Sequence, residues 1–193
     1  MAVGVAAAQN CFSVAGIRLA AVAANIRYKE RPDLVLIEIG TGSVVSGVFT
    51  QNAFCAAPVI VARNHLAQRS NLYFLINTGN ANAGTGEAGE ADALRCCKAV
   101  ADLAGSESWQ VLPFSTGVIG EKLPVERIVK SLPNVFQKLA DSNWELAAQG
   151  ILTTDTRPKL SSAQVSINNQ VITITGLAKG AGMIKPNMAT MLS

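Results

Sequence analysis

The residues best suited to chemistry lie in Lys179-Gly-Ala-Gly-Met-Ile-Lys-Pro-Asn-Met-Ala-Thr-Met-Leu-Ser193. Within it, Ala189-Thr190 has the makings of a self-cleavage junction. A threonine hydroxyl is a weak nucleophile while its own nitrogen is held in a peptide bond. Cutting the Ala189–Thr190 bond gives that hydroxyl a free α-amine on the same residue. The ordinary pKa of such an amine, roughly 7.7–8.0, suits a general base at working pH. The hydroxyl can make the cut itself. Attack on the Ala189 carbonyl shifts the acyl group from nitrogen to oxygen, and water hydrolyses the ester. Ala189 is small and leaves the attack trajectory open. Taken alone, an Ala-Thr pair reads more readily as the end of a buried strand.

Other stretches offer partners for such a nucleophile. Ser115-Thr-Gly-Val-Ile-Gly120 follows a strand and reads as a Gly-bounded loop. It could aim backbone N–H groups at a developing oxyanion, because Gly117 permits close approach; a plain turn is the alternative. Thr153-Thr-Asp-Thr156 ends a predicted helix, with small hydroxyls and a carboxylate fit for an amino-acid-like substrate or simply for a cap. Lys179 and Lys185 flank the glycine-rich approach to the junction. Each could neutralise a substrate carboxylate, or stay solvated on a loop. Gly84-Thr-Gly-Glu-Ala-Gly89 matches the GxGxxG pattern, but Glu87 would put negative charge where a pyrophosphate belongs. A turn and helix start, with Asn77, Asn80 and Asn82 bonding locally, fits better. His65 is the sole histidine, so a His-based metal site or a Ser-His-Asp triad is a poor fit and a structural role is expected.

Composition narrows the classes. Of 193 residues, 49% are apolar and only 15% charged, which suggests tight packing or a large face covered by a partner. The net charge is +3 with no basic run, and aromatics at 5% are too few for base stacking. Nucleic acid is therefore not an expected partner. Cys11, Cys55, Cys96 and Cys97 have neither CxxC spacing nor histidine partners and read as free thiols. The apolar start lacks a basic region and is interrupted by Gln9 and Asn10. It reads as neither signal peptide nor membrane span, and the cytoplasm is the expected location.

The elements that must position these groups are mixed. Strands are expected at Leu34 to Ile39, Val44 to Thr50 (paired as a hairpin), Val59 to Ala62, Leu72 to Ile76 and Gln110 to Pro113. Helices are expected from Gly86 to Ala104, with a stripe of Ala91, Leu94, Cys97, Ala101 and Ala104, from Pro124 with a restart at Pro133, and from Trp144 to Leu152. Val165 to Thr175 alternates about Asn168-Asn169, a hairpin signal. Without strict βαβ alternation, this is a layered α/β chain with a partly antiparallel sheet.

Five blocks carry a more specific likeness. They are Val48-Phe-Thr-Gln-Asn-Ala-Phe-Cys-Ala-Ala-Pro58, Asn77-Thr-Gly-Asn-Ala-Asn-Ala-Gly84, Pro113-Phe-Ser-Thr-Gly-Val-Ile-Gly120, Ile151-Leu-Thr-Thr-Asp-Thr-Arg-Pro-Lys159 and the junction segment from Lys179 to Leu192. In order and spacing, from about Val14 to Ser193, they resemble the ornithine acetyltransferase (glutamate N-acetyltransferase) family of arginine biosynthesis. The resemblance implies a layered α/β/β/α sandwich of the N-terminal-nucleophile type with a mixed sheet. Residues 1–193 would be a single domain equivalent to the α chain of a precursor roughly twice as long, ending just past the Ala189–Thr190 cleavage site. Such a fold would be incomplete without its C-terminal half.

The resemblance also implies the activity. After autoproteolysis, Thr190 carries an acetyl group from N-acetylornithine to glutamate, and some members also take acetyl-CoA. Thr116 and Gly117 form the oxyanion hole, while Thr153 (with Thr154 beside it), Lys179 and Thr190 contact substrate. No metal or tightly bound organic cofactor is implied, and processed members assemble as α2β2. The 193-residue chain alone is expected to be inactive. The competing expectations are a catalytically dead α-type subunit or binding module, and an amidase or aminopeptidase on the same scaffold.

Overall fold

Strand β2 (Leu34–Ile39) is apolar at nearly every position because both of its faces are covered. Leu34 and Leu36 point into one core, and Val35 between them into another. Around β2 the computed structural model builds a four-stranded mixed sheet in the order β1-β2-β3-β4. It describes residues 11–68, 70–182, 188 and 191–193. Strand β1 (Ile17–Val22) runs antiparallel to β2, with Ile17 opposite Ile39 and Val22 opposite Leu34. Strand β3 (Tyr73–Asn80) is antiparallel to β2, and β4 (Val111–Val118) is parallel to β3.

Three helices cover one face: α1 (Ala57–Leu66), α2 (Gly86–Ala104) and α3 (Val125–Gln137). Val61, Cys97, Val100, Ile128, Leu132 and Val135 pack there on Leu34, Leu36, Tyr73, Leu75 and Val111. The other face receives α4 (Trp144–Gly150), whose Trp144 and Ala147, with Ile151, meet Leu19, Val35 and Ile76. A hairpin of β5 (Lys159–Ile167) and β6 (Gln170–Ala178) adds Leu160 and Leu177 to that core. The result is the expected layered α/β fold with a mixed sheet, its second β layer here being the β5–β6 pair. Asn168 and Asn169 both adopt left-handed backbone, as a two-residue hairpin turn requires.

Several expected elements differ. The partner of β2 is β1, not Val44 to Thr50. That segment is irregular, and its Val44 and Val48 are 93% and 83% exposed, so no neighbour is present to pair it. Val59 to Ala62 lies inside helix α1. A short apolar run fits either state, and here Pro58 occupies the first helical turn while Ala57, Val61, Ala62 and His65 form a buried stripe. Helix α2 buries Gly89, Ala93, Cys96, Cys97, Val100 and Ala101, a stripe rotated from the expected one, and Leu94 is exposed. Helix α3 continues unbroken through Pro133. All four cysteines are free. Burial pushes the Cys96 thiol up to about 12 and raises Cys97 as well, so both stay protonated and inert. His65 is buried, with Nδ1 2.8 Å from the Val111 carbonyl. Among the described residues, no helix is long and apolar enough to cross a membrane.

One buried carboxylate shapes the upper end of the sheet. Asp33 is fully buried at the start of β2 and accepts hydrogen bonds from the backbone N–H groups of Ala24 at 2.6 Å and Ile26 at 2.7 Å. It thereby fixes the 23–32 loop. Asp33→Ala would leave two buried N–H groups unsatisfied and is expected to cost about 2–4 kcal/mol. Asp33→Asn, which keeps one acceptor, should cost less. Urea titration of the two variants measures the difference.

Candidate active site

Two of the expected catalytic residues, Thr116 and Gly117, lie where β3 and β4 end side by side. Asn77, Thr78 and Gly79 stand opposite Ser115, Thr116 and Gly117, and a bulge at Asn80 follows. The two glycines let the strand ends close. A Cβ on Gly117, whose φ is +141°, would lie 2.3 Å from the Gly79 carbonyl carbon. A polar net holds this edge. The Ser115 hydroxyl donates to Asn77 Oδ1 at 2.6 Å, Asn77 Nδ2 donates to the Asn80 carbonyl, and Asn80 Nδ2 donates to the carbonyls of Glu121 and Lys122. Strand β4 is a sheet edge, so alternate backbone N–H groups face away from β3.

Into this corner comes Lys179, only 4% exposed. Its Nζ donates to Thr153 Oγ1 at 2.8 Å and to Thr116 Oγ1 at 3.0 Å. An ammonium has three N–H donors, and these two hydroxyls take two of them. Burial pushes the Lys179 pKa below the ordinary lysine range. The negative charge of Asp155 opposes that shift and the positive charge of Lys159 adds to it. Asp155 has a fully buried side chain. Its Oδ1 accepts from the Gly180 N–H at 2.9 Å and pairs with Lys159. Burial alone would raise that carboxyl, but the Lys159 hydrogen bond and the Gly180 N–H outweigh it and hold it below the ordinary aspartate range. The Lys179 N–H donates to the Leu192 carbonyl at 2.9 Å, which ties the segment past the junction to the same residue.

This corner suits a small anionic or carbonyl-bearing ligand. A dry cation stands beside a hydroxyl whose oxygen already accepts from it, leaving that hydroxyl's proton free to donate. An open cleft of about 760 Å³ lined by Ser13, Gly16, Arg18, Glu38 and Asp141 lies at the opposite end of β1 and β2 and touches none of these groups.

The model of the ArgJ family matches residues 18–193. The chain belongs to the ArgJ family. It is 54% identical over 180 residues to the arginine biosynthesis bifunctional protein ArgJ of Methylococcus capsulatus, covering 93% of this chain and 44% of that protein. It is likewise 54% identical over 193 residues to the ArgJ of Psychrobacter arcticus, covering all of this chain and 47% of that one. The chain thus spans about half the length of these relatives. The crystal structure of ArgJ from Bacillus halodurans superimposes with a TM-score of 0.83 at 31% identity, covering 92% of both chains. Ornithine acetyltransferase from Mycobacterium tuberculosis, solved with ornithine, superimposes at 0.81 and 32% identity, covering 92% of this chain and 93% of that one.

For an ArgJ-family chain, the expected site residues fall as follows. Thr116 and Gly117 lie on β4, not in a loop after it, because the strand continues to Val118. Thr116, Thr153 and Lys179 are brought together, whereas Thr154 is exposed. Ala189, Thr190 and Lys185 lie outside the described residues. The GxGxxG match is a helix start. Asn82 Nδ2 donates to the Gly89 carbonyl, Thr85 donates to Asn82 Oδ1, and a Cβ on Gly89 would meet Thr85 Oγ1 at 1.9 Å. The Asp155 carboxylate, expected to serve substrate or a cap, accepts from the Gly180 N–H and pairs with Lys159. One polar group escaped notice in the sequence. Thr78, fully buried and with no partner for its hydroxyl among the described residues, stands opposite Thr116 in a register that only strand pairing reveals.

Gly117→Ala is expected to force β3 and β4 apart at the site and to destabilise the protein by more than about 2 kcal/mol. The matching change at the exposed, unhindered Gly176 should cost less than about 1 kcal/mol. Chemical denaturation of both variants compares them.

Proposed function

We propose that this chain is the α-chain part, with the first residues of the β chain, of a self-cleaving ornithine acetyltransferase. The observation that carries the reading is the buried Lys179 ammonium held by the Thr116 and Thr153 hydroxyls. Three blocks separated in sequence converge on one polar point, as a site for an amino-acid substrate requires. Two comparisons support it. The Mycobacterium tuberculosis relative was solved with ornithine. The matched chains of both solved relatives are about as long as this one, whereas the full-length curated relatives are about twice as long. A precursor cut near Thr190 accounts for both lengths.

In this reading Thr190 Oγ attacks the Ala189 carbonyl. The acyl group shifts from nitrogen to oxygen, which breaks the C–N bond and frees the Thr190 amine, and water then hydrolyses the ester and frees the hydroxyl. In turnover that amine takes the hydroxyl proton as Oγ attacks the acetyl carbonyl of N-acetylornithine. Thr116 and Gly117 stabilise the tetrahedral oxyanion. The C–N bond breaks, the proton passes to the departing ornithine amine, and the acetyl group stays as an ester on Thr190. The glutamate amine then attacks that ester, the C–O bond breaks, and the Thr190 hydroxyl regains its proton. Lys179 and Thr153 hold the polar end of the substrate. The bifunctional naming of the relatives fits acetyl-CoA as a second donor. The two halves would assemble as α2β2.

Expressed at full length, the protein is expected to split into two chains, the second beginning at Thr190. Thr190→Ala should stay whole, while Thr190→Ser, which keeps a hydroxyl, should still split. N-terminal sequencing decides, and a different new terminus would overturn the assignment. In the processed enzyme, Thr116→Ala should lower kcat by about 10²–10³ with little change in KM, because an oxyanion donor acts mainly in the transition state. Steady-state kinetics with N-acetylornithine and glutamate measures the split. A pure KM effect would make Thr116 a binding residue only.

A further inference from the structure

Lys179 is a buried cation whose direct partners among the described residues are neutral. Its side chain touches two hydroxyls, and no carboxylate pairs with it. Desolvating a lone ammonium is costly unless protein dipoles or a nearby anion replace the lost water. The surroundings can be followed element by element. Strand β4 faces Lys179 with the Thr116 hydroxyl, and the 191–193 segment meets its backbone with the Leu192 carbonyl. The turn before β5 brings the Thr153 hydroxyl and the Asp155 carboxylate, and β5 opens with Lys159. Asp155 is the one negative charge in this set. It does not touch the ammonium. It is joined to the next residue along, through the Gly180 N–H at 2.9 Å, and its second oxygen is buried with no hydrogen-bond partner among the described residues.

We propose that Asp155 is a positioning residue for the site, holding the Lys179–Gly180 backbone in place and supplying the negative charge that keeps the Lys179 ammonium protonated. Lys159 is its counterweight. Exposed at the mouth of the ion pair, it holds Asp155 ionised and partly cancels the field that Asp155 exerts on Lys179. The pair therefore tunes how readily Lys179 carries the charge that receives a substrate carboxylate. This rests on the acetyltransferase reading above, in which Lys179 must be charged to bind.

The test uses two substitutions that break the same ion pair from opposite ends. In the full-length processed enzyme, the acid limb of kcat/KM against pH reports the Thr190 amine, which must be neutral to act as base. The alkaline limb reports Lys179, which must be charged. Asp155 raises the Lys179 pKa and Lys159 lowers it. Asp155→Asn is therefore expected to move the alkaline limb to lower pH by at least ~0.5, mainly through KM, while leaving the acid limb in place. Lys159→Gln should move the same limb to higher pH. A structural role for the ion pair would give both variants the same change, and either equal shifts or no shift in both overturns the proposal.

Should Asp155→Asn fail to mature, Asp155→Glu, which keeps the charge, is measured beside Lys159→Gln. Its alkaline limb is expected to stay near that of the parent, and a fall as deep as charge loss would produce overturns the proposal. Thr190→Ala separates the two levels of the argument. If it keeps full transfer activity, the acetyltransferase reading itself is wrong. If it is inactive while the two ion-pair variants shift together, only the role of Asp155 is wrong.

Discussion

The constraint on which the site depends is the burial of one ammonium. Lys179 cannot sit at 4% exposure without polar atoms brought to it. The groups that meet it come from 63 and 26 residues earlier in the chain. Satisfying it therefore dictates much of the architecture. Strand β4 has to present Thr116 on the face that carries α4. Helix α4 must end in time for Thr153 to turn toward the sheet, and the β5–β6 hairpin must return Lys179 to the same point. Leu160 and Leu177 at the hairpin base join the α4 core, which gives that return an apolar anchor about a residue or two from the polar contact.

The close approach of β3 and β4 is the second requirement. At Gly79 and Gly117 the backbones come nearer than side chains would allow. Gly79 itself has Arg27 pressed against it, a Cβ there lying 2.7 Å from Arg27 Cβ. The 23–32 loop is thus part of the site's wall, not a free connection. Asp33 holds it from inside, and Arg31 Nη2 donates to the Leu152 carbonyl at 2.5 Å, beside Thr153. Burial leaves the Asp33 carboxyl above the ordinary aspartate range despite backbone donors at Ala24, Ile26 and Arg27 and the nearby Arg31, so desolvation is the larger effect there. Two buried aspartates brace the backbone near the site, with opposite balances. At Asp33 burial prevails; at Asp155 burial is again the largest single effect, but Lys159 and the backbone N–H donors together outweigh it.

The periodic and punctuated parts of this fold are legible in the sequence. Asn168-Asn169 marks its hairpin, because left-handed backbone at two successive positions favours asparagine. Gly86 to Ala104 is long enough for its period to settle the state. Short apolar runs are not legible in the same way. Val59 to Ala62 and Leu72 to Ile76 look alike, yet one is helix and the other strand, and the difference lies in Pro58 and in what each segment packs against. Strand β1 escaped because Ile17-Arg-Leu-Ala-Ala-Val22 has no strong alternation, with Leu19 to Val22 buried on both faces. At the site, Thr116, Thr153 and Lys179 could be named in advance, but their meeting could not, since no spacing encodes a contact across 63 residues. Asp155 and Thr78 act through burial and register, which a sequence does not display.

Lys179 serves the site with its backbone as well as its side chain. Its ammonium joins the Thr116 and Thr153 hydroxyls, while its N–H holds the Leu192 carbonyl two residues beyond Thr190. A shift of the 179–180 backbone would therefore move the ammonium and the 191–193 segment together. That coupling explains why a carboxylate is spent on the Gly180 N–H and not on the ammonium directly. A direct ion pair would satisfy Lys179 but quench its charge, which in the proposed reading receives a substrate carboxylate. An anion one residue away steadies the backbone and favours the protonated lysine, while among the described residues one ammonium N–H has no partner. The geometry is that of a buried cation with an anion one residue away and no direct ion pair among the described residues.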